Sequence, residues 1–203
     1  MQKKHFSLSA NPARVIAGSF LGVIITGTLL LMLPLSAKNG AVTNFFDALF
    51  TATSATCVTG LIVVDTYTHW TFFGQGVILS LIQIGGLGLV TLTLFFNLLI
   101  RRKLGLRTLQ LAQESTSASN FEDTPRLLRG IVGISLTVEA IGAVLLLPAF
   151  VPKYGMEGIF ISVFTSVSAF CNAGFDLLGR EGPYSSLIHY NGSYVLLVVS
   201  ALI

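Results

Sequence analysis

Charge is scarce in this chain of 203 residues: Lys, Arg, Asp and Glu make up only 10% of it, against about 25% in soluble globular domains. Hydrophobic residues make up 53%, so the composition excludes a soluble globular domain and predicts an integral membrane protein. There are only two cysteines, Cys57 and Cys171, which we expect to be small packing residues rather than a disulfide or a metal pair. His5, His69 and His189 show no ligand spacing, so we expect no metal site.

Signs of enzyme chemistry and of nucleic-acid binding are also missing. No nucleophile, base and orienting acid share a plausible pocket, and there is no phosphate-binding loop. Gln83, Gly85, Gly86 and Gly88 are spaced like a dinucleotide fingerprint, but they lie inside an apolar run with no strand before it, which favours close helix packing. The net charge of +3 comes from basic residues at the ends of apolar runs, a distribution that membrane topology explains without nucleic acid.

What the sequence has instead is long apolar runs. Residues 15–35 and 72–100 carry no charge, and residues 130–150 carry only Glu139. Because 21 helical residues cover about 32 Å and a hydrocarbon core is about 30 Å thick, we predict three spans, the second either tilted or extended into the interface. A fourth run begins near Tyr190 and stops at Ile203. A helix that ends in hydrocarbon leaves carbonyls unsatisfied, so we expect this chain to be the amino-terminal part of a longer protein.

Basic residues indicate the orientation. Nine of them precede the first span or lie between the second and third: Lys3, Lys4, Arg14, Arg101, Arg102, Lys103, Arg107, Arg126 and Arg129. The positive-inside rule therefore predicts a multi-pass protein with a cytoplasmic amino terminus. The outer segments hold five acids, which are either cation-attracting groups at an outer mouth or ordinary loop charge: Asp47, Asp65, Glu157, Asp176 and Glu181.

Two segments 114 positions apart are nearly the same. FDALFTATSATCVTGL at residues 46–61 and FISVFTSVSAFCNAGF at residues 160–175 share seven of sixteen residues without a gap, and LMLP at residues 31–34 matches LLLP at residues 145–148. An even number of predicted crossings separates the copies, so they are parallel repeats. We assign residues 1–100 to the first repeat, 101–129 to a cytoplasmic linker and 130–203 to the second repeat.

Each copy contains a helix too short to span. In the first, Asn44 caps a predicted helix from residue 45 to about Thr56, with Asp47 at its positive end. This helix covers only about 18 Å, so the chain turns back inside the membrane, where irregular backbone is tolerated only in protein or beside water. A glycine lets backbone carbonyls point at a dehydrated cation. The candidate ion-binding residues are therefore Cys57, Val58, Thr59 and Gly60, and Cys171, Asn172, Ala173 and Gly174.

Three segments together resemble a known family: FTATSATCVTGL at residues 50–61, LIQIGGLG at 81–88 and SAFCNAGF at 168–175. In order and spacing they are similar to the membrane subunit of bacterial Ktr/Trk potassium uptake systems. The resemblance implies an all-α membrane protein with two parallel span–pore-loop–span repeats, half of a four-repeat, pseudo-fourfold, potassium-channel-like fold. Gly60 and Gly174 match the first two selectivity-filter glycines.

The same resemblance implies uptake of potassium ion as substrate across the bacterial cell membrane, with no cofactor bound by this chain. It also implies a homodimer of full-length subunits in membrane lipid and a cytosolic gating ring that carries the nucleotide. The basic linker is where that ring would touch this chain, unless its charge is purely topological. The filter of potassium channels reads TVGYG, whereas each copy here has one glycine followed by Leu61 or Phe175, so we expect looser discrimination against sodium.

Two other functions remain open from the sequence. One is a non-conducting membrane scaffold or regulatory subunit. The other is a secondary cation transporter in which Glu139 carries the coupling ion, since an ionisable group deep in a span is a functional candidate. A structural hydrogen bond from Glu139 to a neighbouring helix is an equal alternative. Substitution of Gly60 tests the filter, and Glu139→Gln tests the transporter.

Overall fold

The computed structural model describes residues 12–88, 124–180, 182, 185–190 and 193–203. Within these ranges the chain is helical and contains no strand, which confirms the predicted all-α class. The described ranges contain seven α-helices and one 3-10 turn, in this order: α1 Pro12–Met32, α2 Phe45–Cys57, α3 Thr66–His69, α4 Phe72–Leu87, α5 Thr124–Tyr154, α6 Glu157–Phe170, the 3-10 turn Leu187–Tyr190, and α7 Tyr194–Leu202. The apolar run 89–100, most of the basic linker, and Lys3 and Lys4 lie outside the described residues.

Helices α1, α2 and α4 pack on one another and form the first bundle. Gly27 lets α4 approach α1 closely, since a Cβ on this glycine would lie 2.7 Å from a Leu81 methyl. An isolated bridge between Ala37 and Trp70 joins the α1–α2 connection to the α3–α4 connection. The flanking bond from Thr71 N to Ser36 O is 2.8 Å long. Trp70 is completely buried.

Helices α5, α6 and α7 form the second bundle. Helix α6 begins directly against the end of α5, because a Cβ on Gly158 would lie 2.5 Å from the backbone oxygen of Phe150. Among the described residues, one helical stretch, Arg129–Tyr154, is long and apolar enough to cross a membrane, with a mean hydropathy of 2.2. Helices α4 and α6 join the two bundles, with the rings of Phe72 and Phe160 4.3 Å apart.

The first and third predicted spans end differently, although their LMLP and LLLP segments match. Helix α1 stops at Met32, earlier than predicted, because Pro34 disfavours helix at the preceding residue. The Ser36 hydroxyl then donates to the Leu30 carbonyl at 2.6 Å. Helix α5 instead continues through Pro148 and Pro152 to Tyr154, later than predicted. The buried Phe150 ring lies 5.9 Å from the Tyr190 ring, which holds this extension against the second bundle.

The second predicted span is not one continuous helix. Helix α4 ends at Leu87, where Gly88 adopts a φ of 79° and its N–H reaches the Gly85 carbonyl at 3.1 Å. A positive φ of this kind is a common way for a helix to end, and it favours glycine. The uncharged run 72–100 therefore contains a helix stop that its hydrophobicity does not reveal.

Candidate functional site

Helix α2 begins at the predicted cap. The Asn44 side chain accepts a hydrogen bond from Phe46 N at 2.9 Å, and its backbone oxygen accepts from Ala48 N at 3.0 Å. Asp47 lies in the first turn, where the helix dipole favours a negative charge. Farther along, the hydroxyls of Thr51, Thr53 and Thr56 donate to carbonyls one turn back, at 2.7–2.8 Å. These bonds let polar side chains stand in apolar surroundings without an unsatisfied donor.

The end of α2 is closed by two backbone hydrogen bonds. Val58 N donates to Ala55 O at 3.3 Å, and Thr59 N donates to Ser54 O at 3.0 Å. Val58 adopts the left-handed conformation, with a φ of 57°. This pattern is a Schellman closure, in which a left-handed residue usually follows the helix. A β-branched residue in that region is unfavourable, so the surrounding bonds hold Val58 in place against its own preference.

The end of α6 repeats this closure 114 positions later. Asn172 N donates to Ala169 O at 2.8 Å, and Ala173 N donates to Ser168 O at 2.7 Å. Asn172 has a φ of 55°, and it and Val58 are the two non-glycine residues with positive φ in the described ranges. Asparagine tolerates this conformation better than valine. The Ser168 hydroxyl also donates to Phe175 O at 2.5 Å, on the far side of the turn.

The two glycine segments, residues 57–60 and 171–174, meet at their glycines. Gly60 and Gly174 both have a φ of 72°. A Cβ on Gly60 would lie 2.9 Å from Ala173 O, and a Cβ on Gly174 would lie 3.2 Å from the Gly60 Cα. Backbone therefore touches backbone here, and a side chain at either position would intrude. The negative carboxyl ends of α2 and α6 directly precede this contact, which favours a cation nearby.

The carboxyl end of α4 supports both glycine segments. A Cβ on Gly85 would collide with the Thr56 carbonyl oxygen and lie 3.0 Å from a Val58 methyl. A Cβ on Gly86 would lie 2.6 Å from the Cβ of Cys171, in the other copy. The close helix packing predicted for this glycine run is confirmed. The spacing of the glycines in the sequence did not reveal that Gly85 contacts the first glycine segment while Gly86 contacts the second.

Glu139 is buried in α5 and is held from two sides. The Gln83 side-chain amide of α4 donates to its carboxylate, with distances of 2.8 and 3.1 Å to the two oxygens. The Ser166 hydroxyl of α6 donates to its backbone oxygen at 2.7 Å. Glu139 thus makes the interhelical hydrogen bond that was one of its two predicted roles.

The two cysteines are both free thiols, but their surroundings differ. Cys171 is partly buried against Gly86, as expected of a packing residue. Cys57 is exposed, and the prediction that it packs is not met within the described part of the chain.

Two acids follow the glycine segments closely in the sequence. Asp65 is buried and caps α3, accepting from Thr68 N at 2.7 Å. Asp176 accepts from Leu178 N at 3.0 Å. Burial raises the pKa of Asp176 to about 6, the bond from Leu178 opposes this, and the nearby charge of Asp65 adds to it. The sequence placed both acids outside but did not show their proximity, because they follow Gly60 and Gly174 at different distances.

In the described part of the chain, short helices that end in touching glycine segments pack among apolar helices, one of them long enough to cross a membrane, which fits a helical membrane protein. The TrkH family, described as cation transport protein, matches residues 2–203, and the chain belongs to this family. The predicted resemblance to potassium uptake subunits is thereby confirmed.

Named relatives agree with this family. The chain is 39% identical over 204 residues to the potassium/sodium uptake protein NtpJ of Enterococcus hirae, which covers 100% of the chain and 44% of the relative. It is 44% identical over 167 residues to the Ktr system potassium uptake protein B of Bacillus subtilis, covering 82% of the chain and 37% of the relative. It is 32% identical over 195 residues to the Ktr system potassium uptake protein D of the same organism, covering 95% and 42%. The chain thus spans less than half the length of these relatives.

Proposed function

We propose that this chain forms part of a cation uptake path in which the two glycine segments line the route of the ion. Potassium is the proposed substrate, and sodium is the second ion to test, since relatives are named for potassium or for both. The observation that carries the proposal is the contact between Gly60 and Gly174, made by two segments with the same backbone closure and the same φ of 72°.

The chemistry follows from the backbone. Carbonyl oxygens of Cys57, Val58, Thr59 and Gly60 and of Cys171, Asn172, Ala173 and Gly174 would replace water around the ion, as carbonyl rings do in potassium filters. The membrane potential supplies about 2.3 kcal/mol per 100 mV for each charge moved, so the path needs no catalytic group.

The assembly we propose is larger than this chain. Residues 1–100 and 130–203 would be two of four span–pore-loop–span repeats, joined by a cytoplasmic linker at 101–129, with the amino terminus in the cytoplasm. Full-length subunits would pair as a homodimer in the cell membrane and bind a cytosolic ring that carries the gating nucleotide. These features rest on membership of the TrkH family and on the repeated sequence.

The test is rubidium and sodium uptake by the full-length protein in cells that lack other potassium uptake. We expect Gly60→Ala and Gly174→Ser to weaken potassium affinity or selectivity about tenfold or more, since a left-handed non-glycine residue costs about 1–2 kcal/mol before any clash. Gly40→Ala is the matched control, because Gly40 has a φ of 67° and nothing within 4 Å of an added Cβ. Equal effects at Gly40 and Gly60 would contradict the proposal.

Glu139→Gln separates this proposal from a coupled transporter. The substitution keeps an acceptor for Gln83, whose bond to Glu139 is 2.8 Å long, so we expect most uptake to remain. Uptake abolished by Glu139→Gln, with Gly60→Ala mild, would instead favour ion coupling through Glu139. Purified full-length protein without any flux in liposomes would favour a non-conducting scaffold.

A further inference from the structure

Gln83 and Glu139 form a hydrogen-bonded pair close to the glycines that support the two glycine segments. Gln83 lies on α4, two and three positions before Gly85 and Gly86. Its side-chain amide donates to both carboxylate oxygens of Glu139 on α5, at 2.8 and 3.1 Å, and Glu139 is only 5% exposed. The pair therefore ties the helix that contacts both glycine segments to the first helix of the second bundle.

A cavity lies between the helices at this level. It has a volume of about 440 Å³ and is lined by residues of α4, α5 and α6, with Gln83 and Glu139 in its wall. Side chains thus leave space between α4 and α5 here, and the hydrogen bond joins the two helices beside that space. The Ser166 hydroxyl of α6 donates to the Glu139 backbone oxygen at 2.7 Å. Glu139 is therefore the point at which hydrogen bonds join α4, α5 and α6.

The position of α4 along its axis is critical for the glycine segments. Gly85 faces the Thr56 carbonyl and Gly86 faces Cys171, with no room for a side chain at either place. One residue along a helix corresponds to about 1.5 Å and a rotation of about 100°. A slip of α4 by one residue would bring Ile84 to Thr56 or Leu87 to Cys171, and the two glycine segments would be pushed apart.

The first copy packs without this polar pair. Helix α1 packs on α2 as α5 packs on α6. The residue 114 positions before Glu139 is Ile25, which is 49% exposed, and the residue 114 positions before Ser166 is Ala52, which is completely buried. The packing of a short helix on its preceding long helix therefore does not require either polar group, and the hydrogen bonds at Glu139 belong to the junction of the two copies.

A buried polar pair is a costly way to hold helices together. Taking an amide and a carboxylate out of water is unfavourable, and an apolar pair of similar volume is often as stable or more stable. The advantage of a polar pair is its direction, since a single buried polar contact between apolar helices specifies their register. The Gln83–Glu139 bond lies where register decides which glycine meets which segment.

We propose that Gln83 and Glu139 are positioning residues for the ion path. Their hydrogen bond fixes the register of α4, this register sets the spacing of the two glycine segments, and the spacing sets the discrimination between potassium and sodium. The proposal rests on the proposed function, since it requires the glycine segments to contact the ion. It gives Glu139 the role of a hydrogen-bond acceptor, which agrees with the retained uptake expected for Glu139→Gln.

Exchange of the two side chains tests this role in the full-length protein. The readout is the half-saturating sodium concentration for uptake divided by that for rubidium, a selectivity ratio that does not depend on the amount of folded protein. Gln83→Glu leaves two carboxylates and no donor, so we expect the ratio to fall about tenfold or more. Adding Glu139→Gln restores one amide and one carboxylate, and the ratio should return to within about threefold of the wild type.

Replacement of both residues by leucine separates positioning from stability. Gln83→Leu combined with Glu139→Leu keeps a similar volume but removes the directional bond. We expect a melting temperature at or above that of the wild type, together with a selectivity ratio lowered about tenfold. A pair with a purely structural role would give the reverse, a lower melting temperature and an unchanged ratio.

Ser80→Ala and Ser135→Ala are the matched controls. Ser80 lines the same cavity as Gln83, and Ser135 lies one turn before Glu139. Each hydroxyl donates to a carbonyl of its own helix, Ser80 at 2.8 Å and Ser135 at 2.9 Å. Both variants should keep the wild-type selectivity ratio.

The inference is overturned by a wild-type ratio in both Gln83→Glu and the leucine pair, or by an exchanged pair as impaired as Gln83→Glu alone. Gly60→Ala, measured alongside, separates this failure from failure of the proposed function. If Gly60→Ala lowers the ratio while the variants of Gln83 and Glu139 do not, only the positioning role is lost. If Gly60→Ala also leaves the ratio unchanged, the proposed ion path is wrong and the inference falls with it.

Discussion

The two glycine segments have the same backbone conformation but different surroundings. Val58 and Asn172 have φ values within a few degrees of each other, and the hydrogen bonds that close α2 and α6 pair equivalent atoms. Around them, Phe164 and Val167 of α6 are buried, while the equivalent Phe50 of α2 is 40% exposed among the described residues. Even the residue in the left-handed position differs, valine in one copy and asparagine in the other. Because the turn persists through these changes, its own local hydrogen bonds specify its shape.

Burial, in contrast, depends on which neighbour is present. Phe50 and Phe164 are equivalent in sequence, yet one is 40% exposed and the other has no exposed surface. The difference lies in the partner helix, since Gly86 of α4 reaches the second copy and no described helix makes the matching contact with the first. Conformation is thus a property of each copy, and packing is a property of their arrangement.

Alanine at the paired glycines of α4 should break this arrangement most strongly. Gly85→Ala pushes a methyl into the Thr56 backbone carbonyl, which cannot rotate away. Gly86→Ala meets the Cys171 side chain. We expect each substitution to lower the free energy of unfolding of the full-length protein by about 1–3 kcal/mol, with the larger loss for Gly85→Ala. Thermal unfolding of the purified protein measures this loss, with size-exclusion chromatography as the readout of the fraction that stays folded.

Gly76→Ala is the control for helix propensity. It lies on the same helix with nothing within 4 Å of an added Cβ, and alanine in a helix is favoured over glycine by about 1 kcal/mol. Its melting temperature should stay level or rise. A Gly86→Ala protein as stable as Gly76→Ala would show that α4 does not hold the second glycine segment.

Much of this site could be predicted from sequence because its causes are local. Asn44 caps α2 as predicted, and the helix ends one residue beyond the predicted Thr56, since side-chain capping and a following turn act within a few residues. The repeat of Cys57 and Gly60 at Cys171 and Gly174 indicated equivalent turns. The stop at Gly88 and the passage of α5 through Pro148 were not predicted, because a hydrophobic run does not distinguish a capped helix from a continuous one.

What remained hidden depends on distant residues. The contact of Gly86 with Cys171 and the hydrogen bond from Gln83 to Glu139 join residues 85 and 56 positions apart. Neither leaves a periodic signal, since each requires two helices to be placed side by side. The proximity of Asp65 and Asp176 has the same origin.

Substitution of Asp176 should give the next largest change in stability, and the size of this change depends on pH. Its folded-state pKa of about 6 lies above the ordinary value of 3.8, so the folded protein binds this proton more tightly than the unfolded chain. The stability that tighter binding of this proton gives to the folded protein is fully present below pH 3.8 and is lost as the pH rises through 6. Asp176→Asn should therefore stabilise the protein at pH 8 by about 1–3 kcal/mol and should have no such advantage near pH 4.

Melting curves of the wild type and of Asp176→Asn between pH 4 and 8 would measure this difference. Asp65→Asn is the matched comparison, because asparagine can still cap α3 by accepting from Thr68 N, while the charge that adds to the raised pKa of Asp176 is removed. A stabilisation by Asp176→Asn that does not vary with pH would show that the effect is not ionisation of this group.

The smallest change in stability should differ in sign between equivalent threonine-to-valine substitutions in the two copies. Thr51 and Thr165 are equivalent, but the Thr51 hydroxyl donates to Asp47 O at 2.8 Å, while the Thr165 hydroxyl is buried with no hydrogen-bond partner among the described residues. Thr51→Val removes a bond and should cost about 0.5–1.5 kcal/mol, whereas Thr165→Val removes an unpaired polar group and should be neutral or stabilising by about 1 kcal/mol.

Thr165 lines a cavity of about 90 Å³ beside Gly174, which has room for a water molecule. Most of its wall is apolar, with Phe175, Leu187 and Val199 among the lining residues, so a water there would find few partners. Equal destabilisation by the two valine substitutions would contradict an unpaired hydroxyl. Opposite signs, measured by thermal unfolding of the same full-length protein, would show that the two copies keep one backbone although their buried hydrogen bonds differ.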